Sequence, residues 1–275
     1  MGVQGEVLGV GATPTITNPL EPEAYRAQYE LEDAHWWFAG RRAVIWALLR
    51  RAGVQTGVRL LDAGCGTGRN LLEFGRLGTA VGIDPSPEAI AFCHQRGLPG
   101  ATRGTIEELD LAAGSFDLIL ATDVLEHLRD DVAGLRELRR VAAPGALLLC
   151  TVPAYRWLWS PHDDQHHHFR RYTLRGLRAQ LREGGWRPQT WSYFNSILLP
   201  PIAAVRAAGR RGNPGGGDDS GGVARPARSD LRLTPSGLNR VLAAPMLLEA
   251  ALIGRGARLP AGVSIGVVSV AGDRR

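Results

Sequence analysis

Val58-Arg59-Leu60-Leu61-Asp62-Ala63-Gly64-Cys65-Gly66-Thr67-Gly68-Arg69-Asn70 decides the fold. A short apolar run ends in an acid, three glycines follow at alternate positions, and a polar helix start closes the segment. Glycine in such a turn permits positive φ and lets backbone N–H groups approach a ligand with no Cβ in the way. The spacing is Asp-x-Gly-x-Gly-x-Gly. Arg69 stands where a Gly-x-Gly-x-x-Gly dinucleotide fingerprint needs its last glycine, so a pyrophosphate is not the expected ligand. The turn suits a molecule with a zwitterionic amino-acid end. Ala80-Val81-Gly82-Ile83-Asp84 then reads as a second strand ending in an acid, a carboxylate placed to accept both hydroxyls of a ribose.

Outward from this turn, short apolar strands alternate with amphipathic stretches over 58–150, among them Asp130 to Val141 with Val132, Leu135 and Leu138 on one face. That alternation predicts parallel strands with right-handed crossovers, a doubly wound α/β sheet. Residues 185–194 and 262–270 read as two further strands. Residues 1–20 carry no hydrophobic period and are expected to form a loose tail. A helical cap is expected over 21–53, and the main α/β domain over 54–275. An insertion over 196–260 interrupts it, with a disordered or lid-like stretch at 212–228.

The chain has 275 residues, 44% hydrophobic and 21% charged, enough for one or one and a half domains with a sizeable core. It lacks an uninterrupted apolar run of about 18 residues, so a spanning helix is not expected. The first 20 residues lack the pattern of a secretion leader. Cys65, Cys93 and Cys150 form neither a paired framework nor a metal spacing, which leads us to expect reduced thiols and a cytoplasmic setting. Net charge is +5, yet every basic residue is arginine. Without aromatic interleaving, that balance does not argue for nucleic acid as a partner.

The glycine turn and Asp84, taken with Ser115 to Leu120, the Ala121-Thr122-Asp123-Val124-Leu125-Glu126-His127-Leu128 segment and Pro144 to Leu149, resemble the class I S-adenosylmethionine-dependent methyltransferases over residues 55–195. The resemblance implies a Rossmann-like seven-stranded sheet with an antiparallel last strand, and S-adenosylmethionine as cofactor. It implies that Gly64, Cys65, Gly66 and Gly68 shape the turn against the methionine portion and that Asp62 meets the ammonium group. Asp84, with Pro85, would take the ribose, and Thr105 and Ile106 the adenine. Asp123 would line the crevice, and Arg41 would reach the cofactor carboxylate. His127 is the first candidate for a general base, because imidazole titrates near neutrality. A helix-start histidine bonded to backbone reads the same way. Glu126 is expected to be structural or ion-paired.

Asp123, Glu126 and His127 are also spaced as in metal-dependent methyltransferases that act on polyphenols or RNA ends. Many solvated turns share that spacing, and no metal ligand is assigned. The segment from Thr151 to Thr173 leaves the fifth strand and hangs over the crevice. With His35-Trp36-Trp37-Phe38 and Gly40-Arg41-Arg42, it resembles a bacterial subgroup associated with envelope glycan or lipid-linked sugar genes. Candidate catalytic residues there are Asp163 and His167. Candidate substrate contacts are Tyr155, Trp159, His168, Arg170, Arg171 and Tyr172, the arginines because guanidinium pairs bidentately with phosphate or carboxylate; a salt bridge and a helix cap explain the pair equally well. The expected activity is O-methylation of a small or lipid-linked envelope metabolite, with peripheral membrane contact compatible with the apolar run at 197–205. A metal-assisted enzyme acting on a catechol-like or RNA hydroxyl, and a non-catalytic cofactor-binding subunit, are the alternatives. The oligomeric state is not legible.

Overall fold

The computed structural model describes residues 21–204 and 236–272. The tail expected at 1–20 and the stretch at 212–228 lie outside the described residues. The elements are α1 (Pro22–Leu31), α2 (Trp36–Arg51), β1 (Val58–Ala63), α3 (Arg69–Phe74), β2 (Gly78–Asp84), α4 (Pro87–Gln95), β3 (Ala101–Arg103) and β4 (Phe116–Thr122). Then come α5 (Asp131–Val141), β5 (Ala142–Pro153), α6 (Pro161–Gln165), α7 (Leu174–Glu183), β6 (Trp186–Phe194), α8 (Ser236–Gly254) and β7 (Ser264–Ala271).

The seven strands form one sheet in the order β3-β2-β1-β4-β5-β7-β6. β1, β2, β3, β4 and β5 pair in parallel, and β7 runs antiparallel to both β5 and β6. From β1 the chain moves outward through β2 and β3, then returns to lay β4 on β1's other side. The C-terminal ends of β1 and β4 are therefore the switch point where sheets of this kind leave a crevice.

The strand sequences are nearly continuous apolar runs because both faces are covered. Successive residues alternate between two cores: Leu61, Ile119, Leu148 and Val267 pack with α5 and α7, while Leu60, Leu118, Leu149 and Val268 pack with α2, α3 and α8. Local signals place the helix starts. Ser86 accepts the Ala89 N–H with Pro87 following it, Asp130 accepts from Ala133, and Thr173 accepts from Gly176. The tryptophans of α2 serve packing: Trp37 stacks on Phe194, and Trp46 lies against Phe74 with its Nε1 3.0 Å from Glu73.

Helix α8 lies along α2, burying Met246, Glu249, Ala250 and Ile253. Buried Glu249 receives the N–H groups of Asn195, Ser196 and Ile197 at 2.6, 2.7 and 3.2 Å, and so ties α8 to the exit of β6. The opposite side shows Leu238, Val241, Leu247, Leu248 and Leu252 to solvent. Residues Gly237–Gly254 are long and apolar enough to cross a membrane by length and composition, with 22% of that window buried inside the protein. The sequence reads as a helical segment from Leu238 to Ile253, which the structure places within Ser236–Gly254; Asn239, Arg240 and Glu249 keep it from being an uninterrupted apolar run.

Gly40 is where α2 and α8 approach most closely: a Cβ there would lie 2.7 Å from Met246 Cβ and 2.8 Å from its Sδ. Alanine in a helix gains about 1 kcal/mol over glycine, whereas overpacking costs about 1–3 kcal/mol. A Cβ cannot rotate away, so the clash dominates. Gly40→Ala should lower the denaturant midpoint, and Gly40→Ala/Met246→Ala should lower it by less than the sum of the two single changes.

Candidate functional site

Asp62 ends β1 fully buried, and neither carboxylate oxygen has a well-formed hydrogen-bond partner; the Leu71 backbone adds only a weak one. Burial pushes its carboxyl up to about 8, Arg41 pulling against it and Asp84 and Glu32 reinforcing it. A buried acid without a donor is costly unless a cation meets it. The ammonium group of an amino-acid ligand is such a cation.

The turn after Asp62 is built from positive-φ glycines, Gly64, Gly66 and Gly68, but its donors are used internally. Gly64 and Cys65 both donate to Ile83 O at 2.8 and 2.9 Å, Gly66 donates to Asp84 Oδ2 at 2.9 Å, and Gly68 donates to Cys65 O at 3.0 Å. This corrects the expectation that the turn presents N–H groups. What lies beneath it is an acceptor, Asp62, and the turn itself packs closely on the segment after β4: a Cβ on Gly64 would come 2.5 Å from Val124 Cγ2. The Cys65 side chain packs inward, 3.9 Å from Cys93 Sγ.

Asp84 closes β2. It accepts from Gly66, from Ser86 N at 3.0 Å, and from the Tyr25 hydroxyl at 3.4 Å. Burial raises its pKa while those donors oppose the rise. A carboxylate has about four lone-pair positions, so a ribose hydroxyl can join or replace the long Tyr25 bond. Pro85 is half-buried beside it. Thr105 closes a turn through a bridge to Glu108, and the Ile106 side chain belongs to the core.

Helix α1 roofs this turn, a role its local sequence did not disclose. Tyr25 reaches Asp84, and Gln28 Nε2 would lie 3.1 Å from a Cβ on Gly66. Glu32 accepts from Thr67 Oγ1 and from Arg96 at 2.8 Å. At the end of β4, Asp123 takes a positive φ, pairs with Arg41 and accepts from Thr151 Oγ1 at 3.0 Å. Arg41 is thus held by Asp123, and its charge also acts on Asp62.

The segment after β5 corrects several expectations. Asp163 is fully buried and receives Arg171 through Nε at 2.7 Å and Nη2 at 3.0 Å, His168 Nδ1 at 2.9 Å, and Ser160 N at 2.8 Å. Burial works to raise its pKa, but the bonds from His168 and Arg171 outweigh it and hold it well below the usual range. It is an anchor with no free lone pair for chemistry. His167 sits exposed in a turn with φ +55°.

Arg171 is consumed by Asp163 and Ala154 O, and Arg170 by Asp131 and Arg129 O. The Tyr172 side chain is buried with its hydroxyl 2.7 Å from Asp131, which together with burial raises its pKa. These three hold the loop and are not placed to contact a substrate. Trp159 donates to Asp164 at 2.9 Å. Tyr155, at φ +57°, stacks between Trp157 and Tyr193 with centroids 5.6 and 5.4 Å away, and burial plus the Tyr193 hydroxyl push its pKa up to about 12.

His127 and Glu126 lie in the 3-10 turn Leu125–His127. Burial, then the imidazoles of His168 and His166, push His127 down to about 3. The ring is also hydrogen-bonded to the His166 backbone, the arrangement of a helix-start histidine bonded to backbone. Glu126 is 1% exposed and neither oxygen has a well-formed hydrogen-bond partner; its own backbone N–H adds only a weak one, and Arg171 and Arg41 act on it through their charge without forming an ion pair. Burial, then Asp123, raise its pKa well above normal. His168 joins this pair, its ring 4.7 Å from that of His127.

The sheet order, the crevice and the Asp62 turn define a class I S-adenosylmethionine-dependent methyltransferase domain, and the chain carries one: residues 61–150 match the family model described as a methyltransferase domain. A ubiquinone biosynthesis O-methyltransferase of Cereibacter sphaeroides (strain ATCC 17029) is 40% identical over 101 residues, 34% of this chain. The match spans 41% of that relative's length. The fold is similar to that in the complex of the Haloferax volcanii Trm112 methyltransferase activator with a methyltransferase, with TM-score 0.58 and 18% identity over 92% of this chain and 96% of that one. It is also similar to the [4+2]-cyclase SpnF, with TM-score 0.53 and 18% identity over 94% and 99% of the two chains.

Asp62→Asn should separate stability from binding. Because the folded carboxyl binds its proton more tightly than the usual 3.8, Asp62 contributes stability below that value and loses it as pH rises towards 8. The Tm of Asp62→Asn relative to the parent should therefore increase between pH 4 and pH 8. At pH 7 the same variant should bind S-adenosylmethionine about 10- to 100-fold more weakly, the worth of a charge-assisted bond, and titration calorimetry in two buffers should show proton release only for the parent. In the loop, Arg171→Ala leaves Asp163 buried and unpaired, which costs about 3–5 kcal/mol. Chemical denaturation should register that loss; a rise in the apparent substrate constant at unchanged stability would contradict the anchoring role.

Proposed function

We propose that this chain methylates a hydroxyl oxygen of a small or lipid-linked cell-envelope metabolite. The observation that carries methyl transfer is the unpartnered Asp62 carboxylate beneath the glycine turn, with Asp84 ending the neighbouring strand. Transfer to oxygen is supported by the relative named as an O-methyltransferase, which matches about a third of the chain. A lipid-linked acceptor is supported by the solvent-facing leucines of α8 and by exposed Ile197.

Bound S-adenosylmethionine supplies an electrophilic sulfonium methyl group. Asp62 holds the ammonium end and Asp84 the ribose, which fixes the direction in which the methyl points. Tyr25, Gln28 and Glu32 of α1 keep water from the turn. Held there, the cofactor would supply its methyl group to the acceptor oxygen, with the S–CH3 electron pair left on sulfur and the hydroxyl proton passing to solvent. Tyr155, Trp157 and Tyr193 provide a stacked aromatic surface beside the end of β5 that suits a sugar or isoprenoid face.

Incubation of the full chain with methyl-tritiated S-adenosylmethionine and separated pools of envelope lipids, sugar nucleotides and RNA should label the lipid or sugar pool. The product should gain one CH2 by mass spectrometry, and Asp84→Ala should abolish it. Labelling confined to RNA would overturn the acceptor class. Cofactor binding without any labelled product would favour a non-catalytic subunit.

A further inference from the structure

We infer that Glu126, His127 and His168 form a binding site for one divalent transition-metal ion, with an open coordination position towards the crevice. Each offers one ligand atom, and the three atoms lie within 4.8 Å of one another. An ion with bonds of about 2.0–2.2 Å needs its ligands about 3–4 Å apart, so small side-chain rotations close the set. The juxtaposition is built into the chain path. Phe169 N donates to Glu126 O at 2.8 Å, which holds the loop carrying His168 against the turn after β4.

Two features favour a cation over a plain polar cluster. Glu126 is 1% exposed, and neither of its oxygens has a well-formed hydrogen-bond partner, a state that a bound cation relieves directly. His168 Nδ1 meets Asp163 Oδ1 at 2.9 Å, and Asp163 is itself clamped by Arg171 and Ser160. A carboxylate bonded to one ring nitrogen fixes the tautomer and turns the other towards a metal. The donor set of two imidazoles and one carboxylate suits zinc, manganese, iron or cobalt rather than magnesium or calcium, which prefer oxygen ligands. Three protein ligands leave room for a water or an acceptor hydroxyl.

The consequence for catalysis rests on the methyl-transfer reading. With both imidazoles engaged as ligands, an ion that binds the acceptor hydroxyl would lower its pKa without a protein base. The acceptor then attacks as a metal-held alkoxide or phenolate, its proton already released to solvent.

The chelator-treated full chain titrated with Co2+ should bind one ion and develop visible absorption bands of a four- or five-coordinate site. Zn2+ should displace it. Glu126→Gln and His168→Gln should each weaken binding by more than the about 10- to 100-fold that loss of an orienting partner costs, while keeping parental S-adenosylmethionine affinity as evidence of folding. His167→Asn should bind as the parent does. Absence of a stoichiometric site, or undiminished binding in Glu126→Gln/His168→Gln, overturns the inference. Ion binding without methyl product would instead overturn the methyl-transfer reading and leave the site standing. Full turnover after chelation, with no ion bound, would remove the ion from the reaction.

Discussion

Four carboxylates, three of them buried, lie around one end of the sheet, and their unequal satisfaction governs everything built there. Asp84 is met by two backbone N–H groups and Tyr25, and Asp123 by Arg41 and Thr151. Asp62 and Glu126 have no such partners. Burying an acid without a donor opposes folding, so the arrangement persists because two apolar cores on either face of the sheet hold the strand ends in place. Two unsatisfied acids at the mouth of one crevice are a demand for two positive charges. An amino-acid ammonium bound under the glycine turn would answer the first, and a metal ion held with His127 and His168 the second.

What the sequence disclosed, and what it hid, divides along the distance over which contacts act. The glycine turn, the acid at the end of β2 and the alternation of strands and helices are local patterns, and they specified a doubly wound sheet; the count of seven strands came from the family resemblance, and the structure has it. Helix α1 could be read as a cap, but not its reach: Tyr25 meets Asp84 across 59 residues, and Arg96 meets Glu32 across 64. Nor could Glu126 and His168 be paired from spacing, since 42 positions and a whole strand separate them. The only local hint was that Glu126 sits beside His127 directly after a strand end. The turn's amides misled for a different reason. Positive-φ glycines do expose N–H groups, but here Ile83 O and Asp84 lie close enough to take them.

The histidine- and arginine-rich loop after β5 shows how charge in sequence differs from charge in space. Read along the chain, Asp163, His168, Arg170 and Arg171 are polar groups available to a substrate. Folded, Asp163 and Arg171 form a buried bidentate pair, Arg170 reaches Asp131, and Asp131 is also the partner of Tyr172. The loop is thereby sewn to the start of α5, and its fixed geometry is what allows His168 to be aimed.

Substrate recognition then has to come from the groups that the loop leaves exposed. Trp157 and Phe169 are the large apolar side chains it shows to solvent, Tyr155 stacks on the first, and Arg129 lies over the second at 5.2 Å. Aromatic faces with one flanking guanidinium suit a ring-bearing acceptor that carries an anionic tail. An internal ionic frame and an external aromatic rim divide the work, because a buried salt bridge supplies rigidity that a solvated one cannot, while a solvated ring keeps its face open to a ligand.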